Sequence, residues 1–130
     1  MPAYDSSQYD PPAPLATVNL RNPENDRVVS DVPMLIDSGA DLTLLPERSV
    51  AGLNIKSDET STYELEGFDG RKSMAQSLQL ELNFLNSTFK GRFLVIDSEN
   101  GILGRNILNH FAVLLDGPRL TWRKHEDLNH

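Results

Sequence analysis

The stretch SLQLELNF, residues 77–84, sets Leu78, Leu80, Leu82 and Phe84 on one face and Gln79, Glu81 and Asn83 on the other. A period of two marks a strand buried on one side. Similar runs fill the chain. LATVNL (15–20) and VVSDVPMLI (28–36) flank the turn-rich RNPENDR and predict a hairpin. FKGRFLVI (89–96) returns after the turn LNST, and FAVLLD (111–116) and RLTW (119–122) flank Gly117-Pro118 as a last hairpin. Only PERSVAGL (46–53) and GRNILNHF (104–111) have room for helix, about two turns each at most. There are no internal repeats. Many short, closely spaced strands predict an all-β barrel or sandwich.

A chain of 130 residues fits one domain with a sizeable core. The expected division is a flexible, Pro-rich tail at 1–14, a folded domain at 15–123 and a polar tail at 124–130. Lys+Arg total 12 and Asp+Glu 19, a net charge of -7, which disfavours nucleic acid and anionic membrane as partners. Without cysteine there are no disulfides or thiolate metal sites. The opening MPAYDSSQYDPPAP has neither the basic nor the apolar region of a signal peptide, and no apolar run approaches a membrane span. A soluble, cytoplasmic protein is expected. His110, His125 and His130 lack metal-ligand spacing, so no metal is expected. Asn86-Ser87-Thr88 reads as a hairpin turn rather than a glycosylation site, and Gly101 and Gly104 complete no phosphate-loop motif. Trp122 reads as packing.

Against this background MLIDSGADLTLLP, residues 34–46, is anomalous. An ionised carboxylate in an apolar setting is costly unless paired or well hydrogen-bonded, yet this run carries Asp37 and Asp41. Asp-Ser-Gly alone suits an ordinary β-turn. Solvated turns seldom sit between two runs of Leu, Ile and Met, so the carboxylates point to chemistry. The run ends a strand at Met34-Leu35-Ile36, and Gly39 allows a sharp bend with unusual dihedrals. That bend would turn backbone N–H groups towards Asp37.

A second segment, GILGRNILNHF at 101–111, makes the pattern specific. Together IDSGADLTLLP and GILGRNILN resemble the two signature segments of the retropepsins, the retroviral-type aspartic proteases. The resemblance covers residues from about 15 to 123. It implies a single-lobe acid-protease barrel with one short C-terminal helix and a flap hairpin, active as a C2 homodimer. Asp37 matches the catalytic aspartate, Ser38 the residue whose hydroxyl bonds across the dimer, and Gly39 the bend glycine. Gly104 lies in the second segment, and Asp41 and Arg105 match an ion pair tying the active-site loop to the helix. The flap falls on LEGFDGRKSM (65–74), with Gly67, Phe68, Asp69 and Gly70 as its substrate-covering residues. This flap has fewer glycines than retroviral ones and an extra carboxylate at its tip. The termini also differ from retroviral chains, whose ends interleave into a dimer sheet.

Aspartic proteolysis needs two carboxylates sharing a proton. No second triplet exists here: Asp97-Ser98-Glu99 lacks the glycine, and Asp116-Gly117-Pro118 has the wrong order. The resemblance therefore implies a homodimer acting on a protein or peptide substrate with no cofactor, metal, nucleic acid or membrane involved. Ala40 has no hydroxyl to bond the charged dyad, so the upper pH limb of activity is expected nearer neutral than in pepsin-like enzymes. A catalytically silent domain of the same fold, used for peptide binding or dimerisation, is the alternative.

Overall fold

In a computed structural model, which describes residues 2–55, 60–66 and 72–126, ten strands and two short helices follow one another. They are β1 (Tyr4–Asp5), β2 (Ala13–Asn22), β3 (Arg27–Ile36), β4 (Leu44–Pro46), α1 (Glu47–Ala51), β5 (Thr60–Glu66), β6 (Lys72–Phe84), β7 (Ser87–Ile96), β8 (Gly101–Leu103), α2 (Arg105–Leu108), β9 (Val113–Asp116) and β10 (Thr121–Lys124). The main sheet runs β1-β2-β3-β8-β4-β7-β6-β5, and β2 also pairs with β6 through Leu20↔Leu82. That extra pairing closes β2-β3-β8-β4-β7-β6 into a six-stranded barrel. Closure matters because an open edge offers unpaired peptide groups to any passing strand.

The alternation in β6 does what the sequence requires. Leu78, Leu80, Leu82 and Phe84 are buried, while Gln79 is exposed and Glu81 and Asn83 lie between. From β2 come Ala16, Val18 and Leu20, from β3 Val32 and Met34, and these fill the same core with Leu45, Leu53 and Leu103. The expected hairpins form as β2–β3, β6–β7 and β9–β10. In the second, the connection is two residues rather than four: Leu85 (φ 50°) and Asn86 (φ 66°) turn, and Ser87-Thr88 already belong to β7. Paired positive φ values give the strands the twist a two-residue turn needs.

Three findings bear on the expectations. First, both segments with room for helix wind, Glu47–Ala51 after Pro46 and Arg105–Leu108 after Gly104, so a short helix precedes the C-terminal one. Secondly, the N-terminal segment is not a loose tail. β1 pairs with β2 (Tyr4↔Pro14), Tyr4 N–H donates to Leu120 C=O at 2.8 Å, and Trp122 N–H donates to Pro2 C=O at 3.0 Å. Asn100, nearly buried, donates to Gln8 Oε1 at 2.6 Å and to the Tyr9 hydroxyl at 3.0 Å. Polar composition hid these bonds because most are made by backbone, which carries no sequence signal. Thirdly, Lys124, placed in the C-terminal tail, is the last residue of β10.

Trp122 anchors the terminal hairpin. It is buried, its indole N–H donates to Leu15 C=O at 2.9 Å, and its ring lies 6.1 Å from that of Phe84. Phe84 in turn meets Phe111 edge-on at 5.2 Å. Edge-on and offset pairs of this kind suit the aromatic quadrupole.

Candidate active site

Two parallel strands build the site. β3 and β8 pair as Met34↔Gly101, Leu35↔Ile102 and Ile36↔Leu103, and the ladder ends where Asp37 N–H donates to Leu103 C=O at 3.1 Å. Asp37 therefore leaves the barrel at a fixed point, half-buried. The next residues curl back. Gly39 N–H donates to Asp37 Oδ1 at 2.9 Å, and Ala40 N–H donates to Asp37 C=O at 3.2 Å. A carboxylate held by a backbone N–H keeps one orientation without needing a positive side chain beside it.

Gly39 is favoured for a different reason than the sequence implied. Its φ is not in the left-handed region, and a Cβ there would lie 3.1 Å from Asp37 Oδ1. Space is the constraint, because the peptide must pass close to the carboxylate. At Gly101 and Gly104 the constraint is stricter, because a side chain would strike backbone. A Cβ on Gly101 would come within 2.5 Å of both Leu44 C=O and Met34 Sδ, and one on Gly104 would fall on the Leu42 carbonyl.

The loop is hooked to α2 by backbone. Arg105 N–H donates to Ala40 C=O at 2.9 Å, and Asn106 N–H donates to Asp41 C=O at 3.2 Å. Arg105 Nη1 reaches further and donates to Ser38 C=O at 2.7 Å. The expected Asp41–Arg105 ion pair is not among the salt bridges of the described residues. Both side chains are exposed, so water solvates Asp41 and the guanidinium serves a carbonyl instead. Asp37, Ser38, Gly39, Ala40, Asp41, Gly104 and Arg105 thus do come together, tied by peptide groups and one guanidinium–carbonyl bond rather than by an ion pair.

The sequence reading missed the buried member of this knot. Thr43, 2% exposed, accepts a bond from Gly104 N–H at 3.0 Å and donates to Asn106 Oδ1 at 2.7 Å. A signal was present: a hydroxyl in the apolar run Leu42 to Pro46 must find partners if buried, and Gly104-Arg105-Asn106 was the segment available. Beside this knot lies a cavity of about 150 Å³ lined by Leu42, Thr43, Ser77, Arg92, Leu94 and Asn106. The ladder of β5 and β6 is described to Glu66↔Lys72, while Gly67, Phe68, Asp69 and Gly70 lie outside the described residues. No cluster of potential metal ligands occurs among the described residues.

A closed single-lobe barrel whose Asp-Ser-Gly loop is hooked to a Gly-Arg-Asn turn defines an aspartic-protease-type protein. The family model of the retroviral aspartyl proteases matches residues 11–116. The chain belongs to that family. Among solved structures, EIAV protease complexed with the inhibitor HBY-793 shares the fold, with a TM-score of 0.56 and 24% identity over 82% of this chain and 91% of that one. No curated protein matches the chain.

Proposed function

We propose that the protein is an aspartic endopeptidase whose dyad is made by Asp37 from each of two identical chains. The observation that carries this reading is the setting of Asp37 at the end of β3, with Oδ1 fixed by Gly39 N–H. One such carboxylate per chain is half of a general acid–base pair, so a two-fold axis must supply the other. One Asp37 takes a proton from a water as its oxygen attacks the scissile carbonyl carbon, while the protonated partner donates to the carbonyl oxygen. The tetrahedral intermediate then collapses. The C–N bond breaks as the leaving amine takes a proton from the carboxyl that received one from water, and a hydroxyl of the intermediate returns its proton to the partner carboxylate as the product C=O forms. The substrate would lie extended and bond through its backbone, with alternate side chains entering pockets. The cavity beside Leu42 is of a size for one such side chain.

Asp37→Asn tests the reading. The amide can neither accept the water's proton nor share one, so cleavage of a denatured protein should vanish while the melting temperature holds. A statine-type inhibitor should stop the wild type. Cleavage by the purified variant at wild-type rate would end the aspartic mechanism. A catalytically silent peptide-binding domain would show no cleavage by the wild type either.

A further inference from the structure

The cavity beside the active-site loop differs in chemistry between its floor and its mouth. Thr43, Ser77 and Leu94 are buried and make the floor, while Leu42, Arg92 and Asn106 are exposed and make the mouth. Leu42 follows Asp37 by five residues in the same loop, and where that loop enters β4, Leu44 pairs with Leu94 of β7. The cavity therefore sits at a fixed remove from the Asp37 carboxylate. Leu42 stays 46% exposed, although an apolar side chain of this size gains by being covered.

The polar groups at the mouth are donors. Thr43 Oγ1 is spent inside the knot, accepting from Gly104 N–H and donating to Asn106 Oδ1. That bond takes the amide oxygen of Asn106 and leaves its Nδ2 group without a partner among the described residues. Arg92 carries five N–H donors and no acceptor, so a bond made elsewhere still leaves donors for a ligand. Its neighbour across the ladder is the neutral Gln79. Apolar walls at Leu42 and Leu94 with donors at the rim suit a side chain that has a short hydrocarbon stem and an acceptor at its end.

We infer, resting on the endopeptidase reading proposed above, that this cavity is a specificity pocket for a glutamate side chain of the substrate, with Arg92 as its specificity-determining residue. The glutamate methylenes cover Leu42 and reach Leu94. The carboxylate meets the Arg92 guanidinium and Asn106 Nδ2, as charge-assisted hydrogen bonds require. Glutamine has the same shape but gives up the charge, and lysine is repelled. The chain's net charge of -7 works against an acidic substrate at long range, so an acid preference has its origin in this local group. The two-fold axis that completes the dyad repeats the pocket. An extended substrate then meets one Arg92 on each side of the scissile bond, at matching removes.

A mixed peptide library locates the position, read both by the wild-type cut sites and by the peptides that Asp37→Asn retains. Glutamate should be enriched at one place before the scissile bond and at its mirror place after it. In peptides differing only there, wild type should favour Glu over Gln about tenfold in kcat/KM, or about 1.4 kcal/mol. Asp37→Asn should show the same ratio as dissociation constants. Arg92→Glu should invert the preference towards Lys, and Leu42→Trp, which fills the cavity, should erase it. Each ratio is taken within one protein, so a general loss of activity cancels. If neither pocket variant folds, the wild-type and Asp37→Asn ratios decide. Equal Glu and Gln constants in a protein that cleaves, or a Glu preference that survives Arg92→Glu, overturn the pocket and leave the dyad standing. Tighter binding of the Glu peptide without any cleavage by wild type overturns the dyad and leaves the pocket standing. A chain that neither cleaves nor prefers Glu overturns both.

Discussion

Thr43→Val removes a hydroxyl and keeps the shape. Valine replaces Oγ1 by a methyl, so no cavity opens and the cost is polar. Gly104 N–H, buried, loses its acceptor at 3.0 Å. An unsatisfied buried donor costs about 1–3 kcal/mol. Asn106 Oδ1 loses a donor as well, but Asn106 is exposed and water can replace it. A total near 2 kcal/mol follows. Unfolding entropy of about 2.1 cal/mol/K per residue, over 130 residues, converts this to a fall in Tm of about 7 °C. Scanning calorimetry at one fixed protein concentration is the assay, since dimerisation makes Tm depend on concentration. Thr43→Ser keeps both bonds and loses only a methyl, so its Tm should lie well above that of the valine variant. A Thr43→Val protein melting within about 1 °C of wild type would refute the reasoning, because the Gly104 donor would then have another partner.

Gly101→Ala should cost about 1–3 kcal/mol or more by overpacking, since the Leu44 carbonyl that its Cβ meets belongs to the adjoining strand; chemical denaturation measures it. Arg105→Ala should cost no more than about 1.5 kcal/mol, because it removes one exposed bond to Ser38 C=O and breaks no buried ion pair; a larger loss in the same denaturation assay would show a stronger role. Glu81→Gln should show a pH signature. The Arg21 guanidinium, bonded at 2.6 Å, holds the Glu81 carboxyl below its usual value of 4.5, against an opposing effect of burial. A depressed carboxyl stabilises the fold above that value and ceases to do so as pH falls through the folded one. The Tm gap between wild type and Glu81→Gln should therefore be widest above pH 4.5 and shrink on acidification.

Strands with alternating side chains were legible because one face of each meets water. β6 declared itself through Leu78, Leu80, Leu82 and Phe84. β4 and β8 did not. Each has three residues, and neither can form alone, since β4 exists by pairing with β7 and β8 by pairing with β3. Their sequences, Leu44-Leu45-Pro46 and Gly101-Ile102-Leu103, read only as apolar runs beside motifs. The candidate site divides along the same line. The resemblance implied that Asp37, Gly39, Gly104 and Arg105 lie near one another, but the bonds joining their segments run from Arg105 N–H to Ala40 C=O and from Gly104 N–H to Thr43 Oγ1. The charged pair of Asp41 and Arg105 was implied by the resemblance, whereas peptide donors are the same at every position and leave no mark in a sequence. The knot at Asp37 is held by such donors, and they need close approach. Hence the site's strictest sequence demand falls on small residues. Adding a Cβ at 101 or 104 strikes backbone, whereas losing the Arg105 side chain gives up a single exposed bond.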